Sequence, residues 1–576
     1  MLTPNPASPA PKLPTPRPGT GAGRTPRLLL WVVFGLLGWL VLYPQLFVVG
    51  ESVLVDGRLT LSGYRDFLSS RAELEALWGS LWISGGTVLL SGAIGIPLAF
   101  LFTRYEFPGR TLFGALAALP VLLPPLVGVI AFLFLFGESG ILTRTVQLVL
   151  GLDQAPWRLV GGWAILFVHA YSMYVYFYLF TAAGLARMDG SAAEAAASLG
   201  ASRTRILFRV TLPMLAPALG AASVLVFMTS MASFSAPYIF GGGFRVLTTQ
   251  IFTSKMNGDL TMAMVETVIL ASASMGFLAL NRRFERKREF AAVGKGIQAP
   301  RKGIQRRWAR VMIPIVAVGA VLFLLAPHLT LVLVSFVKEG SWTTQILPTQ
   351  YTLDNYRNLF SNPQTWSPVV NSTLMASVAT AANLVVAFTL AWLLVRGRFR
   401  GKGALLTLTM LPWALPGTVI AIALATTFSA PEPWFGRIVL VGTFWILPLA
   451  YFIRNLPLVT QATVASFRQF DPTLEEAAHA LGASRMATIR RVALPLVLPG
   501  LAAGGLLAFV GALGEFVSSI LLYTVRTRPI SVEILSQLRA FDFGAAAALG
   551  VMLAVLMTLV FAFGGRWVRG GTPGQT

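Results

Sequence analysis

The sequence predicts an all-α integral membrane protein with about 12 transmembrane helices, arranged as two parallel six-helix repeats related by a pseudo-two-fold along the membrane normal. Three observations predict it. The 576 residues are 55% apolar and only 12% charged, with mean hydropathy +0.70, which excludes soluble globular and disordered chains. Twelve stretches are each long enough to cross about 30 Å of hydrocarbon. The second half of the chain also repeats motifs of the first. With no cysteine and three scattered histidines (His169, His328, His479), disulfides, thiolate chemistry and a His-built metal cage are all excluded. No metal site, no bound cofactor and no catalytic residue are expected. The net charge of +22 is carried between apolar runs, so lipid headgroups are the expected counterpart and nucleic acid is not.

Taken in order, the apolar runs are 28–49, 79–102, 111–136, 160–182, 214–239, 262–281, 311–336, 370–395, 404–428, 438–457, 497–523 and 546–565. Residues 1–27 hold eight prolines and no acidic residue, which reads as a disordered basic tail. The first run is too long for a signal-peptide core and no small-residue cleavage pattern follows it, so it reads as a retained helix. With the N-terminus inside, 32 of the 45 Lys and Arg fall on the inner side, and the positive-inside rule then places both termini in the cytoplasm. The basic stretch 282–310 becomes a cytoplasmic linker and reads as an orientation anchor.

The duplication sets the architecture. Residues 60–65, TLSGYR, match 352–357, TLDNYR; Pro120 and Pro124 match Pro412 and Pro416 at the same offset of 292. After the 137–158 segment the offset becomes 282. Because each half has an even number of spans, both halves start and finish on one side, so they are parallel repeats with a path expected at their interface.

The strongest likeness lies in a loop between the fourth and fifth spans of each half. Residues 194–213, EAAASLGASRTRILFRVTLP, align without gaps to 476–495, EAAHALGASRMATIRRVALP, with 12 of 20 identical. Hydrocarbon imposes no likeness on a loop, so a partner outside the membrane is expected to read both copies. Ser191 to Glu194 and Thr473 to Glu476 fit the capping-box pattern, and as individual groups Glu194 and Glu476 read first as caps. Gly200 and Gly482 supply the left-handed turn that ends each helix. A second short helix, bearing Arg203, Arg205 and Arg209 or Arg485, Arg490 and Arg491, is expected to stop at Leu-Pro, where Pro213 or Pro495 opens the next span.

Glu-Ala-Ala, three residues, Gly, nine residues, an aliphatic, one residue and Leu-Pro resembles the EAA loop of type I ABC importer permeases, and both copies match in full. The resemblance covers the chain beyond its tail. It implies a fused permease pair, most similar to the ferric-iron type, with thiamine and 2-aminoethylphosphonate importers as relatives of the same layout. It implies two copies of an ABC ATPase as partners, an extracytoplasmic substrate-binding protein, ATP and Mg held on the ATPase subunits, and alternating access in a bacterial inner membrane. The coupling residues it implies are Glu194, Ala195, Ala196, Gly200, Ala201, Ser202 and Arg203, with Glu476, Ala477, Ala478, Gly482, Ala483, Ser484 and Arg485. The expected organisation is a tail at 1–27, a first permease repeat at 28–281 with its EAA loop at 187–213, a linker at 282–310, a second repeat at 311–566 with its loop at 469–495, and a C-terminal tail at 567–576. No phosphate-binding G-x-x-x-x-G-K-[ST] loop occurs; the fragment Gly397 to Gly403 has the wrong spacing and no hydroxyl after Lys402.

For the path itself, an ionisable group within a span is costly and is a functional candidate by default. Glu515 aligns with Ser233 and Phe516 with Phe234, so these four positions are expected to line the substrate path near the pseudo-axis. Glu515-Phe516 resembles an acidic-Phe pattern of the ferric-iron type, although Ser233 breaks a symmetric carboxylate pair; a bond from Glu515 to a neighbouring helix is the alternative. Arg454 is expected to snorkel to the inner interface, His169 to be a packed core histidine, and Glu266 to be a weaker candidate. A hard cation prefers oxygen ligands, which orders the substrates as ferric iron, then thiamine or polyamine, then aminophosphonate or sugar phosphate, the last group wanting an intramembrane Arg or Lys. An ion-coupled secondary transporter is the alternative class, weakened by the scarcity of midplane charges.

Overall fold

The computed structural model describes residues 27–55, 57–122, 124–286, 302–304, 306–342, 345–431 and 437–570. The tail expected at 1–27 therefore lies outside the described residues except for Arg27, as do 287–301 of the linker and 571–576 of the C-terminal tail. Two two-stranded pairs interrupt an otherwise helical chain: Leu54–Val55 with Arg58–Leu59, and Tyr105–Glu106 with Lys302–Gly303. The second pair ties the end of the inter-repeat linker to the turn after the second span of the first half.

Among the described residues nine helices are long and apolar enough to cross a membrane, and two sharply bent pairs raise the number to eleven. The twelfth element of the repeat is Ile446–Gln469, whose 24 residues extend about 36 Å but carry more polar groups. The halves correspond element by element: Arg71–Arg104 with Pro363–Val395, Gly162–Arg187 with Ile446–Gln469, and Leu260–Arg286 with Phe543–Gly570.

Hydroxyl contacts repeat as faithfully as the helices do. Tyr64 shares a 2.7 Å hydrogen bond with Ser52, and Tyr356, its match 292 residues on, shares one of 2.7 Å with Ser335. Ser80 accepts from the Leu247 amide at 2.8 Å, while Ser372 accepts from that of Ile530 at 2.8 Å. Packing between halves is reciprocal. The opening span of the first half lies on Gly417–Thr427 of the second, and Arg307–Val334 lies on the matching Pro125–Phe136 of the first. That exchange is what a two-fold relation between parallel repeats requires.

Four expected spans are broken, and a fifth, 438–457, lies at Ile446–Gln469 instead. The run 111–136 is not one helix: it divides into Arg110–Leu116, a 3-10 turn at Leu119–Leu122 and Pro125–Phe136. Its counterpart at 404–428 bends by 105° between Lys402–Ala414 and Gly417–Thr427. Prolines cause both, since Pro124, Pro125 and Pro416 cannot donate to the preceding turn. The runs 214–239 and 497–523 end early, at Met231 and Leu513, and short helices Ser235–Phe240 and Val517–Leu522 follow. Hydropathy cannot register such breaks because the broken residues stay apolar.

Small residues let the main helices approach closely. An ideal Cβ on Gly95 would stand 2.7 Å from Phe177 Cβ and 2.8 Å from the Tyr178 nitrogen, so Gly95 is required where Arg71–Arg104 meets Gly162–Arg187. Gly504 does the same where Leu494–Leu513 meets Ile446–Gln469, since a Cβ there would stand 3.0 Å from Val459 Cα. Gly95→Ala should lower stability by roughly 1–3 kcal/mol through helix separation. Gly85→Ala, with nothing within 4 Å, should be neutral or slightly stabilising. Thermal unfolding of both variants in detergent checks this, and equal melting temperatures would contradict the packing.

Candidate translocation path and coupling loops

The two breaks that end the fifth and eleventh spans meet at the pseudo-axis. Phe234 and Phe516 are both buried, with ring centroids 5.9 Å apart at an interplanar angle of 52°. An intramembrane break frees backbone groups that water cannot satisfy, and here side-chain hydroxyls take that place. Thr248 donates to the Ser233 carbonyl at 2.7 Å, and Ser531 donates to the Glu515 carbonyl at 2.9 Å. Gly514 matters sterically: a Cβ there would meet Pro124 of the other half at 3.3 Å.

A cavity of about 1660 Å³ lies between the halves. It runs from Phe180 and Gln461, on the spans that lead to the duplicated loops, and Arg283, near the end of Leu260–Arg286, to Ser233, Phe234 and Val517 at the breaks. Pro120 and Pro124 line one wall and Pro412 and Pro416 the other, so the proline bends shape the cavity where unpaired backbone is tolerable.

The polar equipment of the two halves differs at matching positions. In the second half Arg454 Nε lies 2.9 Å from Glu515 Oε2, with side chains 30% and 9% exposed. The other carboxylate oxygen accepts from the Ser518 amide at 2.9 Å, fixing Glu515 at the start of Val517–Leu522. In the first half the matching positions are Ser172 and Ser233. There His169 Nε2 shares a 2.8 Å hydrogen bond with Ser233 and Nδ1 a 3.1 Å bond with Ser230. His169 is buried, as expected, and also borders the cavity. Its match Tyr451 bonds Ser519 at 2.7 Å.

Arg454 does not snorkel to an interface. The apolar window 438–457 ends just beyond it, but the helix runs from Ile446 to Gln469, which leaves Arg454 about 22 Å from the end near the loops. The chain therefore holds an arginine within a span and facing the cavity, in place of the interfacial one expected from hydropathy. Glu266 is fully buried away from the cavity, accepting from Ser254 at 2.8 Å beside Glu73.

Each duplicated loop is a helix, a left-handed glycine and a second helix. Ser191–Ser198 and Thr473–Ala480 precede Gly200 at φ +77° and Gly482 at φ +83°. The expected capping boxes are not formed. Instead Asp189 and Asp471 accept from the amides of Ser191 and Thr473, each at 2.9 Å, because an Asp two residues ahead reaches the first free N–H sooner. The Thr473 amide bond holds the Asp471 carboxyl below the usual carboxylate range. Nor does the second helix stop at Leu-Pro. Arg203–Ile206 and Arg485–Thr488 pass through single π-turns, Leu207–Thr211 and Ile489–Ala493, into the next span, the wider turn absorbing the missing proline N–H.

Glu194, Ala195, Gly200, Ser202 and Arg203 are exposed, as are Glu476, Ala477, Gly482, Ser484 and Arg485, while Ala196, Ala201, Ala478 and Ala483 are half-buried. Leu199 and Leu481 are each 89% exposed. The sequence reading missed this pair as site residues, although a leucine at the same place in two otherwise polar loops was a readable signal. Arg396 fastens the second loop, lying 3.3 Å from Glu475 and 5.1 Å over the Phe470 ring.

Comparison with known proteins settles the family. The chain matches "Binding-protein-dependent transport system inner membrane component" twice, over residues 92–290 and 383–569. It belongs to that family. This makes it a multi-pass inner-membrane translocation subunit of an ABC importer, with two family repeats fused in one chain. It is 30% identical over 547 residues, 94% of this chain and 95% of the relative, to the "Probable ABC transporter permease protein y4fN" of Sinorhizobium fredii. It is 27% identical to the "Ferric transport system permease protein FbpB" of Actinobacillus pleuropneumoniae over 87% of this chain and 72% of that protein. The "Sulfate transport system permease protein CysT" of Salmonella typhimurium is 33% identical over 37% of this chain and 80% of its own length.

The absence of native cysteine makes the direction of the cavity measurable. Gln461→Cys should react with a membrane-impermeant maleimide supplied on the loop-bearing side about tenfold faster than from the other side. Ser518→Cys, fully buried, should stay unlabelled from both. Mass-shift labelling in vesicles of both orientations checks this, and equal rates for Gln461→Cys would refute a one-sided opening.

Proposed function

We propose that this chain is the fused permease of an ATP-driven, binding-protein-dependent importer of ferric iron. Each EAA loop docks on one copy of an ABC ATPase that holds the ATP and Mg, and both termini lie in the cytoplasm. The observation that carries the docking reading is the pair of outward helix–turn–helix elements, each ending its first helix in an exposed leucine, Leu199 and Leu481. Apolar side chains held out in polar loops lower free energy only when a partner covers them. ATP-driven closure of the two ATPase subunits then rocks the halves about the Phe234 and Phe516 contact, and an extracytoplasmic binding protein delivers cargo from the opposite side. In this reading Glu515, Phe516, Ser233 and Phe234 form the outer end of the substrate path and the cavity opens to the cytoplasm.

Ferric iron is favoured because the ferric permease relative aligns across both repeats, whereas the sulfate permease relative aligns with about one. The repeats correspond to 28–281 and 311–566, their terminal helices continuing to Arg286 and Gly570. The alternative reading is the same importer class carrying thiamine, polyamine or 2-aminoethylphosphonate.

Leu199→Asp and Leu481→Asp each remove a burial worth roughly 1.5–3 kcal/mol and add a charge. Either should reduce ATPase subunit recovered with tagged chain, and together they should abolish it along with ATP-dependent ⁵⁵Fe uptake. Quantitative co-purification and uptake by native-host cells check both points; full recovery of the ATPase with the double variant would sink the docking claim. Uptake by the chain alone on an ion gradient would instead favour a secondary transporter.

A further inference from the structure

The cavity is lined, among the described residues, by two charged side chains, Arg283 and Arg454, and both are cationic. No aspartate or glutamate lines it. Glu515, the carboxylate expected to meet a cation, has both oxygens engaged: one receives the Ser518 amide and the other Arg454 Nε. The guanidinium spends only Nε on that pair. Its two terminal nitrogens have no hydrogen-bond partner among the described residues, and the side chain is 30% exposed against 9% for Glu515. Gly417 makes room for it, since a Cβ there would stand 2.5 Å from one terminal nitrogen, Nη1, and 3.1 Å from Cζ.

A hard trivalent cation needs several anionic oxygen ligands, and no group of three or more His, Cys, Asp or Glu among the described residues could hold a metal ion. A guanidinium whose terminal nitrogens have no hydrogen-bond partner among the described residues is the opposite kind of receptor: its planar fork matches an oxyanion bidentately. The pairing with Glu515 compensates the buried charge and fixes the plane of the fork, so an anion meets a positioned donor pair.

We propose that cargo crosses this cavity as an oxyanion-bearing species received by the Arg454 fork, iron passing inside an anionic oxygen chelate and not as a bare cation. This rests on the reading of the cavity as an importer's path and refines the ferric assignment. Glu515 is then a positioning residue for Arg454, and the second half supplies the recognition group that Ser172 and Ser233 do not supply in the first.

The test uses the complex purified from its native host through a tag on this chain and reconstituted with ATP inside proteoliposomes. The probes are [⁵⁵Fe]ferric [¹⁴C]citrate, [³²P]phosphate and [³⁵S]sulfate. Wild type is expected to accumulate ⁵⁵Fe and ¹⁴C together. R454Q should cut uptake about tenfold or more, the loss of one bidentate pair. R454K should retain part of it with a raised half-saturating concentration, and E515Q should lose less than R454Q, roughly threefold. R454Q/E515Q removes the uncompensated carboxylate yet should remain as low as R454Q.

Recovery in that double variant overturns the proposal in favour of a structural ion pair, as does E515Q proving more damaging than R454Q. Iron entering without citrate overturns it while the ferric importer stands. Phosphate or sulfate entering without iron overturns the ferric assignment while the anion receptor stands. No ATP-dependent movement of any probe overturns both.

Discussion

Backbone groups broken open inside a membrane must find partners within the protein, and this constraint organises the centre of the molecule. Both spans that follow the duplicated loops end at mid-depth. Thr248 of Leu247–Met256 and Ser531 of Ile530–Arg539 return to donate to the released carbonyls of Ser233 and Glu515, the latter also receiving the Ser519 hydroxyl. Those short helices are in turn pinned to the long second span of their own half through Ser80 and Ser372. Remove the breaks, and neither the phenylalanine contact at the axis nor the cavity below it has a floor.

Where the two halves agree and where they differ separates scaffold from path. The hydroxyls that hold helices together recur in matched positions, Tyr64 with Tyr356 and Ser80 with Ser372. Side chains at the cavity do not recur: His169, Ser172 and Ser233 line it in the first half, whereas of the matching residues in the second only Arg454 does, Tyr451 and Glu515 being buried behind it. A symmetric frame carrying an asymmetric lining fits a duplicated chain that transports a cargo without two-fold symmetry, because one copy is free to diverge while the other keeps the fold.

Much of this was legible in the sequence. The repeat offset, read from TLSGYR and the two proline pairs, predicts the reciprocal packing of the halves, and Gly200 and Gly482 predict left-handed turns that the backbone adopts. What was hidden follows from how apolar patterns work. A window of hydropathy locates hydrocarbon, not helix ends, so 438–457 was placed about ten residues early and Arg454 was assigned to an interface. Prolines at 124, 125 and 416 leave hydropathy unchanged while bending the chain. The caps were misplaced because Ser191 and Thr473 satisfy a pattern that Asp189 and Asp471 satisfy with shorter reach. Glu515 was found by its cost in a membrane, but its partner was out of sight, and the partner inverts the chemistry that the carboxylate alone would imply.

The loops and the path are joined by different levers in the two halves. In the second, Arg485–Leu513 forms a single span of 29 residues, about 43 Å long, and Glu515 follows two residues beyond its end. In the first, the corresponding route bends by 66° between Arg203–Met214 and Ala216–Met231. An unbroken helix transmits displacement along its axis, whereas a bent pair converts part of it into hinge motion. The second loop is also fastened to the end of Pro363–Val395 by Arg396 through Glu475 and Phe470, and Ala193, which occupies the Glu475 position in the first loop, cannot form that clamp. Within the importer reading, a push on the second loop reaches Arg454 and Glu515 as translation, while the same push on the first is spent at Leu215. In that reading the half that carries the charged pair also has the more continuous connection to its loop: a displacement enters at Arg485, and Glu515, which pairs with Arg454 of the neighbouring helix Ile446–Gln469, lies just past the other end.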